Sequence, residues 1–396
     1  MKKSGYITLI IGSYYYILYN GVFSTIRGLL LPLIKDYYNI NYTSSGLMFL
    51  VFLFPGIIGS IYNAFIFNKF NKKNILIFAS IILSFFSLII PFSRNYNIFL
   101  FFTFIIGFGT TISSTGSVIS IIDTFEYAYP DYKEKAIILT HFLYSFGALI
   151  ISFIFILNAK KINNWQNAFF ILALFSLFLL ITRIFSQYPG MDKKNNIKDF
   201  NLSKYISIAK NPKMICYCIM SMLYGGSELG ITSWIPTYFE KGYYRSKTYS
   251  SLILLLFFLF ITIGRFIGSI FINKFNKFKL IFILIILETI SIILGFIFPF
   301  RILNFDFLIP LGGLFLSVIY PIIQTYLISD FKHDIPVATS LFFTGTIIGV
   351  TLLPFLIGPF NDIIGEKYGI GITGIYILLI LPFLLYVKNK KRINST

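Results

Sequence analysis

Phe67-Asn68-Lys69-Phe70-Asn71-Lys72 and Ile272-Asn273-Lys274-Phe275-Asn276-Lys277 are two versions of one stretch, 205 residues apart. Each closes a long apolar run, and the first asparagine of each lies nine residues beyond a glycine, Gly59 or Gly264. A basic, Asn-rich turn after an apolar helix is what a tight loop between two membrane spans requires. Asn tolerates the left-handed turn conformation, and Lys concentrates on the inner face of a membrane. The offset is about half the chain, so the two halves are expected to be copies of one another.

The composition demands a membrane. Hydrophobic residues make up 57% of the chain and charged residues 12%, about half the charged share of a soluble domain. Apolar runs of about 20 residues recur, the length that crosses about 30 Å of hydrocarbon. Twelve spans are expected, at 7–34, 45–67, 75–92, 97–122, 136–158, 166–187, 213–238, 249–272, 279–299, 303–329, 336–359 and 370–387. The fold class is therefore all-α: twelve transmembrane helices in two pseudo-symmetric six-helix bundles. The formal charge of +18 is spread between spans rather than gathered on one surface, which argues against nucleic acid as a partner. Cys216 and Cys218, two apart on a helix, diverge, so neither a disulfide nor a metal site is expected. The first apolar stretch is too long for a cleavable signal and is read as a span.

The widest polar gap, Gln187 to Lys213, carries Pro189-Gly190 and divides the spans six and six. It predicts an N-terminal bundle over 1–187, a cytoplasmic linker over 188–212 and a C-terminal bundle over 213–396. With both termini inside, the inner segments hold twenty-one Lys and Arg residues and the outer ones nine, the asymmetry expected of cytoplasmic termini in a multi-pass protein of the cell membrane. Further landmarks repeat. Gly21 and Pro32 match Gly225 and Pro236, Asp123 matches Asp330, and Leu139 with Gly147 matches Leu341 with Gly349, at offsets of 202 to 207. Two six-span halves in the same orientation account for them.

Twelve spans, parallel halves and a basic inner loop with its echo resemble the major facilitator superfamily of repeat-built transporters. That family's loop runs Gly-x-x-x-Asp-Arg-x-Gly-Arg-Lys; here Ala64 to Lys73 keeps the basic residues and replaces the glycines and the aspartate. Within it, Leu139-Thr140-His141-Phe142-Leu143-Tyr144-Ser145-Phe146-Gly147-Ala148 and Tyr224-Gly225-Gly226-Ser227-Glu228, with Trp234 and Tyr238, are similar to runs of the fucose/glucose symporter branch. The acidic residue that branch carries in span one is absent; Arg27 lies there instead. The resemblance implies alternating access, a monomer, no cofactor, and a small-molecule substrate moved with protons or against a counter-substrate.

Candidate site residues follow from polar groups inside spans, which are costly and mark pathways. Arg27 is expected to line the cavity and to hold an anionic group or Glu228. Glu228 is the expected proton-coupling carboxylate. Arg265, beside Gly264, is expected either at the substrate or bracing the inner gate. Asn20, Tyr19, Tyr224, Trp234 and His141 complete the expected substrate set, with Tyr14, Tyr15 and Tyr16 on the same cavity helix. Trp165 is expected to anchor at the outer interface. Asp123 and Asp330 are expected to latch onto the loop lysines, Lys69, Lys72 and Lys73 in the first half and Lys274 and Lys277 in the second. Glu288, in a span expected to be peripheral, reads as a weaker candidate.

A membrane enzyme would need convergent nucleophile, base or metal ligands. The chain has two histidines, in opposite halves, and no HExxH or nucleophile elbow. No Gly-rich phosphate loop suggests an ATP-driven pump, and span five lacks the Gly-Pro of drug exporters. A secondary transporter remains. Its solute is read as a sugar or, because of the in-span arginines, an organic anion.

Overall fold

The computed structural model describes residues 3–59, 67, 70–128, 132–158, 164–188, 202–271, 275–297, 305–332 and 334–393. Among the described residues eleven helices are long and apolar enough to cross a membrane. A twelfth, Lys133–Asn158, contains the shorter apolar stretch Phe142–Asn158. We label them α1 (Lys3–Tyr38), α2 (Tyr42–Gly59), α3 (Lys72–Ile89), α4 (Tyr96–Ala128), α5 (Lys133–Asn158), α6 (Trp165–Phe185), α7 (Pro212–Thr237), α8 (Lys247–Phe271), α9 (Lys277–Ile297), α10 (Phe305–Asp330), α11 (Ile335–Ile364) and α12 (Gly369–Asn389). A short helix, Leu202–Ala209, precedes α7.

The helices gather into two compact units. One holds Met1–Tyr38, Phe54–Ile154 and Lys160–Phe200; the other holds Asn39–Leu53, Phe155–Ala159 and Asn201–Thr396. The first half of α2 therefore groups with the C-terminal helices. Asp362, at the end of α11, explains how. Its carboxylate accepts from the backbone N–H of Tyr42 (3.0 Å) and Thr43 (2.8 Å) and from the Thr43 hydroxyl (2.6 Å). A helix start leaves its first amides unpaired, and here a carboxylate from another helix completes them, joining Asn41 of the same chain turn. Close approach follows: a Cβ on Gly358 would lie 2.4 Å from the Tyr42 carbonyl oxygen, and one on Gly46 would lie 2.9 Å from that of Phe355.

The duplicated glycines are helix crossings. In the first unit, a Cβ on Gly21 would lie 2.0 Å from the Tyr144 carbonyl oxygen and one on Gly147 2.2 Å from that of Leu18, so α1 and α5 meet backbone to backbone. In the second, a Cβ on Gly349 would lie 2.0 Å from the Met222 carbonyl oxygen, while Gly225 faces Val350 and Thr346, so α7 and α11 make the matching contact. Small residues at such crossings are how membrane helices gain packing without a hydrophobic drive between them.

The duplicated asparagines serve a different purpose from the one expected. Asn71 is extended (φ −62°, ψ 112°) and caps α3, its side chain accepting from Lys73 N and Asn74 N. Asn276 caps α9 in the same way, accepting from the N–H groups of Phe278 (3.1 Å) and Lys279 (3.2 Å). Asn41, Asn95, Asn164 and Asn211 cap α2, α4, α6 and α7. Among the described residues the left-handed asparagine is Asn39 (φ 49°). The repeated motif thus starts a helix, as Asn does at an N-cap. Trp165, the first residue of α6, is 1% exposed and packs among Tyr37, Tyr38, Phe99 and Phe169.

Candidate functional site

The C-terminal unit gathers one polar cluster from four helices. Ser317 and Val318 interrupt α10 between its helical pieces Leu308–Leu316 and Ile319–Asp330. Pro321, with no N–H to give, favours such a break. Gly264 of α8 lies against it: a Cβ there would be 2.3 Å from Ser317 Oγ and 2.9 Å from the Leu314 carbonyl oxygen. The next residue, Arg265, reaches Glu228 of α7, Nη2 to Oε1 3.5 Å, with side chains 26% and 18% exposed. Tyr224, one turn before Glu228, is buried and lies in the field of both charges; its hydroxyl makes no bond of good geometry within the described chain. Its ring meets that of Tyr320 at 5.1 Å, and the Tyr320 hydroxyl is 3.2 Å from Thr346 Oγ1 of α11. Glu228 was expected to pair with Arg27; within its own unit the guanidinium beside it is Arg265. Tyr320 and Thr346 were not singled out in the sequence, although the Tyr320-Pro321 pair is a readable break signal.

Trp234 is 1% exposed and donates its indole N–H to the Pro354 carbonyl at 2.9 Å. It ties α7 to α11 and stacks near Tyr42, so its polar edge is already committed.

In the N-terminal unit Arg27 is 8% exposed, lies over the Phe23 ring (5.2 Å) and is in electrostatic reach of Tyr144 on α5. Tyr19 is buried and stacks on Phe23 at 6.0 Å; Asn20 is half-buried. Tyr14, Tyr15 and Tyr16 donate to the carbonyls of Ala136, Phe175 and Thr110. They bind α1 to α5, α6 and α4 rather than offering hydroxyls to a solute. Arg183 is the third arginine inside a span, read with Arg27 and Arg265 as support for an anionic solute. It is fully buried, and its hydrogen bonds among the described residues go to hydroxyls: Ser117 (2.6 Å), Ser13 (3.3 Å) and Tyr188 (3.4 Å). Tyr188 in turn sits in an apolar cluster with Leu9, Phe67 and Leu76.

The two acids expected to act as latches each meet a lysine. Lys72 pairs with Asp123. Asp330 meets Lys213 Nζ (3.5 Å) and the Tyr217 hydroxyl (3.0 Å), from the start of α7. Lys73 and Lys277 form no ion pair among the described residues. Lys213 reaches Asp330 because the first turn of α7 lies beside the end of α10. Lys69 and Lys274 lie outside the described residues, and for His141 the helix is described but not the side chain.

This arrangement can be set against known proteins. The model of the Major Facilitator Superfamily matches residues 15–344. The "Protein TsgA homolog" of Buchnera aphidicola subsp. Baizongia pistaciae (strain Bp) is 29% identical over 405 residues, covering 98% of this chain and 99% of the relative. Among solved structures, a mutant of the nucleoside transporter NupG superposes with a TM-score of 0.81 at 12% identity, over 96% of this chain and 99% of that one. The fucose:proton symporter FucP of E. coli superposes with a TM-score of 0.64 at 19% identity, over 97% and 99%. Helices, repeat and family match agree: the chain belongs to the Major Facilitator Superfamily and is a multi-pass secondary transporter, not an enzyme.

Proposed function

We propose that the chain moves a small polar solute, a sugar before other classes, by alternating access, and that Tyr224, Glu228, Arg265 and Tyr320 hold it in the C-terminal unit. One observation carries this reading: a partly exposed carboxylate–guanidinium pair lies beside two tyrosines where α7, α8, α10 and α11 meet. Vicinal hydroxyls both donate and accept, so a carboxylate next to a guanidinium meets them on both counts. The tyrosine rings cover the apolar faces of a sugar. The likeness of the α5 and α7 runs to the fucose/glucose symporter branch supports the same choice.

Coupling follows from the pair. A solute that draws Arg265 away leaves Glu228 without its counter-charge, and Glu228 then takes a proton. If solute favours protonation, protonation tightens solute binding by the same factor. Glu228→Gln, a mimic of the protonated acid, keeps binding and exchange but loses accumulation driven by a proton gradient. Accumulation that persists in Glu228→Gln in proportion to that gradient refutes the assignment.

A thermal-shift screen of the purified protein against sugars and carboxylates tests the solute, since a ligand of the folded state raises stability by mass action. A sugar is expected to raise the melting temperature, and Arg265→Gln to abolish the rise. Stabilisation by carboxylates alone would instead favour an organic anion, the second reading, which the in-span guanidiniums of Arg27 and Arg265 support. We place the protein in the cell membrane with both termini in the cytoplasm. A fusion after Thr396 that is active only outside the cytoplasm contradicts that placement.

A further inference from the structure

Glu288 stands apart from every group used so far. It lies near the middle of α9, is 0% exposed, and neither carboxyl oxygen has a hydrogen-bond partner among the described residues. α9 packs on α10 and α12, and its outer end on α7. The titratable groups of those helices are engaged elsewhere. Tyr238, just after α7, donates to the Phe296 carbonyl at 3.0 Å, and Glu228 faces Arg265. On α10, Asp306 accepts from Tyr249, Tyr320 meets Thr346, and Asp330 meets Lys213 and Tyr217. On α12, Tyr376 reaches the Leu353 carbonyl and Lys388 lies over Phe278, 3.6 Å from the ring centre. Among the described residues no ionisable side chain acts on Glu288.

An ionised carboxylate there would have neither water nor a donor. That state costs far more than neutralising the group. The repeat sharpens the point. Asn71 and Asn276 cap α3 and α9 at an offset of 205, which sets Glu288 opposite Leu83 in register. Leu83 is also 0% exposed. An apolar side chain therefore suffices for packing at that depth, and the carboxyl is something the second half adds.

We propose that Glu288 is a proton-binding site separate from the Glu228–Arg265 pair. It holds one proton while α9, α10 and α12 pack as they do here. When that packing admits water, the acid O–H gives its proton to a water molecule and leaves a hydrated carboxylate. The reaction needs no other partner, and it makes the closed packing of this unit depend on pH.

Infrared spectroscopy of the full-length protein in lipid at pH 8 tests this. Carboxyls that reach water ionise near pH 4 and are charged at pH 8, so a remaining acid carbonyl band reports a buried protonated group. One such band is expected in the wild type and in Glu228→Gln, and it should vanish in Glu288→Gln. Wild type without the band, or a band that survives in Glu288→Gln, overturns the proposal. Should Glu288→Gln fail to fold, dicyclohexylcarbodiimide on the wild type decides, because it attacks protonated carboxyls in apolar surroundings. An adduct on the Glu288 peptide together with loss of the band supports the site. Band loss with the adduct on another carboxyl, or an unmodified Glu288 with no band, overturns it.

Discussion

The Glu228–Arg265 pair is the point at which fold energetics and function meet, and a double-mutant cycle measures it. Unit charges at 3.5 Å attract by about 4–5 kcal/mol at the effective dielectric of about 20 that suits protein pairs. Desolvation offsets much of that, and both side chains retain some exposure, so the net value falls between exposed pairs (about 0–1 kcal/mol) and the cost of breaking a buried one (about 3–5 kcal/mol). We expect a coupling of about 1–2 kcal/mol from wild type, Glu228→Gln, Arg265→Gln and the double variant. Each single change leaves one charge facing a neutral amide, whereas the double variant leaves none, so the double variant should be more stable than the sum of the singles. Urea or thermal unfolding of the four purified proteins in one detergent reads the cycle. Additivity within about 0.3 kcal/mol would show that the pair exerts no mutual hold. The argument that a solute competes for Arg265 would then fail with it.

Gly349→Ala places a methyl 2.0 Å from the Met222 carbonyl oxygen; α7 and α11 must part by more than about 1 Å, and a stability loss of about 2 kcal/mol or more is expected in unfolding experiments, with Gly147→Ala matching it through the α1–α5 contact. Asn71→Ala and Asn276→Ala should each cost about 1 kcal/mol as lost N-caps, read as a lower melting temperature without change of helix content. Asp362→Ala should free the start of α2, seen as faster hydrogen exchange at the amides of Tyr42 and Thr43, while exchange at the Asn276-capped start of α9 stays unchanged. Ser117→Ala withdraws the 2.6 Å acceptor from the buried Arg183 guanidinium and should cost about 1.5–3 kcal/mol; Ser113→Ala, whose hydroxyl is buried with no partner, should cost close to nothing.

The spans and the repeat were legible because both depend on short-range properties, namely apolar length and the residues that start and stop helices. Partner choice was not. A helix hydrophobic all round carries little sign of which face turns inward, so rotation about its axis cannot be read from periodicity. Periodicity therefore gave no sign that Arg265 lies beside Glu228, or that the hydroxyls of Tyr14, Tyr15 and Tyr16 bond to neighbouring helices. Asp330 shows the same limit from another side. The repeat suggested the lysines that follow α8, by analogy with Lys72 and Asp123, and gave no sign of Lys213, which meets Asp330 at 3.5 Å. Of the repeated asparagines, Asn71 and Asn276 were noticed for a true reason and given the wrong role; their side chains cap α3 and α9, and Asn68 and Asn273 lie outside the described residues.

The two halves agree in backbone geometry and in the Asp123–Asp330 match, and differ at the charges set deeper in the spans. Crossing glycines and capping asparagines recur at matched positions. Glu228, Arg27 and Glu288 have no charged counterpart. At the offset of the α1–α7 landmarks, Glu228 falls on Ser24 and Arg27 falls on Ile231; at the offset of the caps, Glu288 falls on Leu83. A duplicated scaffold needs the same close approaches twice, because two backbones that meet at 2 Å from a virtual Cβ leave room for glycine alone. It has no need to duplicate a charge, since every ion placed in hydrocarbon must be paired or hydrated at a cost of at least a few kcal/mol. Residues that break the symmetry of the repeat are therefore kept against that cost, whereas residues that obey it are explained by packing. On this ground we propose transport roles for Arg27, Glu228, Arg265 and Glu288, whereas Gly21, Gly147, Gly349, Asn71 and Asn276 serve the frame.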